Sequence, residues 1–220
     1  LSFEHRSAAA KVLIWGFACA VLVGFSIAFL DRGIATWTHG HFHGVRFFVW
    51  LTWLVEPVPY LAAGTLAGLA VAMLCGWRPD ARGRQILACC LATLVALAFK
   101  EQLKYCFGRT WPETWVDGNP SWIGQGVFSF LPFHGGRGWA SFPSGHTTAA
   151  AAPMSVLWMA FPRLRWIWAG FVLLVAAGLL GADYHWLSDI IAGAFLGTAC
   201  GAGMSALMRG AKPMGIREHD

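Results

Sequence analysis

The chain has 220 residues, of which 57% are hydrophobic and only 12% charged, and it carries 13 tryptophans. A soluble domain has roughly a quarter of its residues charged, so this composition excludes one and predicts a single all-α membrane domain over residues 1–220. The formal net charge of +5 is scattered over short loops and forms no binding stripe, which argues against a nucleic-acid partner.

Six membrane segments are expected, beginning with residues 11–30. The apolar run from Val12 to Leu30 is too long for a signal-peptide core and lacks a small-x-small cleavage site. It ends in Asp31-Arg32 and reads as a retained anchor. His39, His41 and His43 come next. Their alternation suits a metal only in an extended segment, and within this loop no Cys or carboxylate completes the set apart from Asp31. An exposed polar loop is therefore expected there, with no metal.

Residues 42–54 are aromatic and amphipathic enough to lie in the membrane interface, or else they lengthen the second segment, 55–76. Lys100 and Lys104 shorten the third, 85–104, which should pack inside the bundle with its charged end at the water boundary. The long loop from 105 to 144 carries Trp111, Trp115, Trp122 and Trp139, suited to headgroup anchoring, to a lid or to a lipid groove. Segments 145–161, 165–182 and 187–208 complete a six-helix polytopic bundle. In the last, Gly193, Gly197 and Gly201 recur every four residues, a ladder that lets helices approach closely. Cys19, Cys75, Cys89, Cys90 and Cys200 lie in apolar runs and Cys106 at the end of one, as small packing residues.

Loop charges orient the bundle. With the N-terminus inside, Arg6, Lys11, Arg78, Arg82, Arg84, Arg163, Arg165, Arg209, Lys212 and Arg217 are cytoplasmic. Arg32, Arg46, Lys104, Arg109 and Arg137 lie opposite, and Lys100 stays in the membrane. The excess predicts cytoplasmic termini and an external 105–144 loop.

Three stretches on that outer side carry chemistry. They are Lys104-Tyr-Cys-Phe-Gly-Arg109-Thr-Trp-Pro112, Ser141-Phe-Pro-Ser-Gly-His146 and His185-Trp-Leu-Ser-Asp189. A histidine with a carboxylate one helical turn on, a second histidine and a glycine turn are the parts of a phosphoryl-transfer site. In this order the stretches resemble the type 2 phosphatidic acid phosphatase superfamily, whose pattern is K-x6-R-P, then P-S-G-H, then S-R-x5-H-x3-D. The resemblance runs from the third segment through the sixth, with the motifs inside 100–193.

The resemblance implies a role for each matching residue. His185 would be the nucleophile that forms a phosphohistidine, Asp189 would fix its tautomer, and His146 would protonate the leaving group. Ser144 and the Gly145 amide would hold phosphate oxygens at a helix start, and Lys104 would supply a cation. No cofactor or metal is implied. Two family arginines are replaced: Trp111 stands in one place and Leu179 in the other, with Gly178 for the preceding Ser. Arg109 matches the first arginine of a G-R-P-R-P variant, and it and Arg137 are the expected substitutes at the phosphate, with Lys100 a further candidate. Asp183 reads as a loop carboxylate, and Glu101 as charge balance between two lysines.

The implied function is hydrolysis of a phosphate monoester or pyrophosphate on a phospholipid, polyprenyl carrier or lipid A, in a bacterial inner membrane and at its periplasmic face. A phosphotransferase using the same phosphohistidine, and a non-catalytic lipid-binding or transport relative, are the alternatives. Oligomeric state is not legible.

Overall fold

A computed structural model describes residues 3–115 and 118–210, and every regular element among them is helical. Helix α1 (Phe3–Phe25) runs through a π-turn at Ser26–Leu30 directly into α2 (Asp31–Phe42). The first apolar segment therefore does not end at Asp31-Arg32, because both charges find partners. Asp31 is buried and its Oδ1 accepts the Ser26 hydroxyl at 2.8 Å. The Arg32 guanidinium lies over the Trp122 and Phe128 rings at 5.9 and 5.4 Å.

Helices α3 (Arg46–Trp53) and α4 (Pro57–Leu74) make one apolar stretch, with Pro57 at the first position of α4, where its missing N–H costs nothing. Of the two expectations for residues 42–54, the lengthened second segment holds. Phe48 and Leu51 press so closely on Gly178 and Gly181 that any Cβ there would collide, so α3 packs on the bundle instead of floating in the interface.

Asp80 caps α5 (Ala81–Phe107) by accepting the Gly83 amide at 2.7 Å. Gly108, left-handed at φ 54°, ends it, and an added Cβ would strike the Leu131 carbonyl. Among its described residues the long loop after α5 holds a short helix α6 (Trp122–Gln125) and a 3-10 turn at Arg137–Trp139, before α7 (Gly145–Ala160), α8 (Arg165–Gly181) and α9 (Leu187–Gly210). Five helical stretches among the described residues are long and apolar enough to cross a membrane. The predicted fourth segment, α7, has only 16 residues and is walled in by α5, α8 and α9. The count of six thus includes one short buried helix.

The glycine ladder is the seam between α9 and α7. A Cβ on Gly193, Gly197 or Gly201 would lie 2.5, 2.6 and 2.5 Å from the carbonyls of Ser144, Thr148 and Ala152. Backbone meets backbone there, filled by Ala149 to Ala152, all buried. Around this seam one buried cluster joins Val55, Val175, Leu179 and Ile190, which explains the leucine at 179: it is a core residue with no exposure. The exposed apolar side chains Leu13, Trp15, Phe17 and Leu22 on α1 face outward, as lipid-facing residues do. Of the cytoplasmic charge count, Lys212, Arg217 and the Arg6 side chain lie outside the described residues.

Candidate active site

The C-terminal end of α5, the N-terminal ends of α4, α7 and α9, and the long loop between α5 and α7 meet at one end of the bundle. Between them lies a pocket of about 670 Å³. Lys100, Lys104, Arg137, His146 and His185 line its polar end together with Glu56 and Glu101, while Val55, Pro59, Leu97 and Ala149 line an apolar flank.

His185 sits in the turn that enters α9, and the helical spacing brings Asp189 beneath it. Nδ1 lies 3.2 Å from Asp189 Oδ2, which orients the ring with Nε2 free. Burial pushes the imidazole down to about 4, with Lys104 and His146 acting the same way against the pull of Asp189. At neutral pH the ring is therefore uncharged and keeps a lone pair. The Trp111 ring packs on it at 4.9 Å, tilted by 44°. Trp111 also donates its indole N–H to the Arg137 carbonyl at 2.8 Å, fixing the turn that carries that arginine into the pocket.

His146 stands on the first turn of α7, its Nε2 3.0 Å from Glu56 Oε1 at the start of α4. That carboxylate orients the ring at the pocket wall. Beside it, a Cβ on Gly145 would lie 3.3 Å from Lys100 Nζ, so that ammonium stands over the amide end of α7, where an anion is best held. Lys100 also pairs with Glu101.

Two of the expected phosphate contacts are placed differently. Arg109 does not line the pocket. It lies behind Asp189, 1% exposed, with Nη1 2.5 Å from Asp189 Oδ1 and Nη2 2.7 Å from Asp31 Oδ2. The rings of Phe130, Trp186, Phe128 and Phe142 close over its guanidinium at 4.8–5.9 Å. A cation held by two carboxylates in an aromatic cage has no face left for a phosphate. Ser144 is also fully buried: its Oγ accepts the Thr147 amide at 3.4 Å and the Thr147 hydroxyl at 3.1 Å as the α7 cap. Its own amide donates to the Asp189 carbonyl at 3.0 Å, tying the two motif helices together.

Behind the histidine lies a network that sequence inspection missed. Ser141 donates to Asp189 Oδ2 at 2.5 Å, and Ser188 donates its hydroxyl and amide to the Asp31 carboxylate at 2.5 and 3.0 Å. The available signal was Asp31 itself, an acid adjoining an apolar run, since such residues are seldom placed in a membrane without a partner.

Residues 85–212 match the PAP2 superfamily. The chain belongs to this family. The PAP2 match covers both histidine motifs and the Lys104 region. Two curated relatives, each named Lipid A 1-phosphatase, come from Rhizobium etli and Rhizobium johnstonii. Each is 34% identical over 95 residues, 43% of this chain, and the matches take in 38% and 36% of those proteins. The chain thus aligns with less than half the length of either relative. Among solved structures, Aquifex aeolicus LpxE is similar with a TM-score of 0.44 and 20% identity over 80% of this chain and 94% of that one. A PAP2-type phosphatidylglycerolphosphate phosphatase from Bacillus subtilis gives 0.46 and 17% over 90% and 98%.

Proposed function

We propose that this protein is a lipid phosphate phosphatase working through a phosphohistidine. The observation that carries the reading is His185, oriented by Asp189, at the wall of a pocket that is cationic at one end and apolar along one flank. The phosphate would sit among Lys100, Lys104, Arg137 and the Gly145 amide, with the lipid chain leaving past Val55, Pro59 and Leu97. His185 Nε2 attacks phosphorus, the bond to the leaving oxygen breaks, and His146 gives that oxygen a proton. Asp189 stabilises the phosphoimidazolium through Nδ1–H. Water, deprotonated by His146, then breaks the N–P bond and releases inorganic phosphate. No metal has a part in this scheme, because fixed cations stand around the anion.

The names of the Rhizobium relatives make a lipid A phosphate the first substrate to test, ahead of phosphatidylglycerophosphate, phosphatidic acid and polyprenyl pyrophosphate. The charge count supports cytoplasmic termini and a pocket at the periplasmic face of the inner membrane. Purified protein in detergent, given labelled lipids, should release labelled inorganic phosphate, and added Mg²⁺ should leave the rate unchanged. Label appearing in a second lipid would make the protein a phosphotransferase, and no turnover of any lipid would make it a binder.

In the same assay Lys104→Ala should lower kcat/KM by roughly 10²–10³-fold, the usual loss for one oriented donor to transition-state charge. Arg137→Ala should fall in the same direction. Unchanged activity in Arg137→Ala would remove that residue from the phosphate site.

A further inference from the structure

On the outer side of the His185 turn, outside the phosphate pocket, four side chains from three distant parts of the chain converge. They are His39 near the end of α2, His43 at its C-cap, Glu113 in the outer loop and Asp183 between α8 and α9. One ligand atom from each lies within 4.8 Å of all the others. We propose that they bind one divalent transition-metal ion, Zn²⁺ by the chemistry of the set, which clamps the outer loop and α2 to the turn carrying the nucleophile.

The spacing suits such an ion. Tetrahedral Zn²⁺ with bonds near 2.0–2.1 Å puts neighbouring ligand atoms about 3.3 Å apart. His39 Nδ1 lies 3.3 Å from Glu113 Oε2 and 2.8 Å from Asp183 Oδ2, and His43 Nδ1 lies 3.4 Å from Asp183 Oδ2. Both imidazoles turn the same nitrogen inward.

Hydrogen bonds from His39 Nδ1 and His43 Nδ1 can reach both inner carboxylate oxygens, but two neutral imidazoles bring no counter-charge to two carboxylates. Among the described residues, no lysine or arginine is within ion-pair distance of Asp183 or Glu113. Asp183 is 2% exposed, so an uncompensated charge there is costly. A divalent cation neutralises both carboxylates and accepts all four lone pairs. The outer oxygen of Glu113 already has a holder that leaves the inner one free to ligate: the Thr114 amide donates to Oε1 at 2.7 Å. Asp183 adopts φ 57°, a left-handed conformation uncommon for a residue other than glycine, within the turn that leads to His185. None of the four residues lines the phosphate pocket, so the ion's task is positional.

The test uses untagged protein in detergent, stripped with chelator and titrated with Zn²⁺ against a chromogenic competitor, with bound metal counted by mass spectrometry. Wild type should hold one Zn²⁺ per chain. His43→Ala, at a largely exposed side chain that folding can spare, and Glu113→Gln should weaken binding at least about 100-fold. In wild type alone, Zn²⁺ should protect the 105–144 loop from limited proteolysis. Metal well below one per chain overturns the proposal, and so does a stoichiometric ion whose affinity is the same in His43→Ala and Glu113→Gln.

Discussion

His185→Ala should abolish phosphate release, lowering kcat by at least about 10⁴-fold while leaving the protein folded. Loss of a nucleophile removes the covalent route entirely, and the remaining cations give only residual catalysis. The side chain fills one wall of an open pocket, so its removal leaves a hole that water can enter. Asp189 keeps Arg109 and Ser141 as partners. Rapid quenching during turnover of a labelled lipid should leave label on wild-type protein, mapped to His185 by peptide sequencing, and none on the variant. Substantial turnover by His185→Ala, or label on another residue, would sink the phosphohistidine reading.

Arg109→Ala should act on stability first, by about 3–5 kcal/mol, the usual penalty for stripping one partner from a buried ion pair. Its guanidinium is the shared counter-charge of Asp31 and Asp189, and both are buried to 1% exposure or less. Without it, two carboxylates are left facing each other with neutral hydrogen-bond partners, Ser26, Ser141, Ser188, His185 and the Trp186 amide, in place of a counter-charge. Arg109→Lys should recover only part of the loss, since one ammonium cannot present a fork to both acids. The measurement is thermal unfolding in detergent beside steady-state kinetics. Asp31→Asn offers a gentler version far from any phosphate, expected to lower Tm and kcat with KM unchanged. An Arg109→Lys protein with wild-type stability and a raised KM would return Arg109 to the phosphate.

Much of the site was legible because its parts are local. His185 and Asp189 are one helical turn apart, and Gly145 and His146 open α7 directly. Helical periodicity alone places such pairs side by side. The Gly193, Gly197 and Gly201 ladder was readable for the same reason, since a small residue every fourth position has one structural use. The apolar segments were also visible, although the first runs on past Asp31-Arg32, where its end was expected. A charge normally ends a span, and nothing within its own segment shows that Arg109 waits for it 78 residues on.

The same blindness covers the histidine cluster. His39 and His43 were seen, but their carboxylates lie far along the chain, Glu113 in a loop and Asp183, 140 residues beyond His43, in a turn that looked like ordinary surface. No periodicity links them, and only packing of α2 against α8 and the outer loop makes them neighbours.

By itself, then, the amino-acid order determined the features that composition and short-range spacing dictate: a helical membrane bundle, the histidine–carboxylate pair, the second histidine and the family. Tertiary structure alone decided which charges face the pocket. Lys100 and Arg137 line the pocket, whereas Arg109 is turned inward between two acids. The physical reason is that a buried cation is stable only where the fold supplies its counter-charges. Those counter-charges come from helices that the sequence does not place together until the bundle has closed.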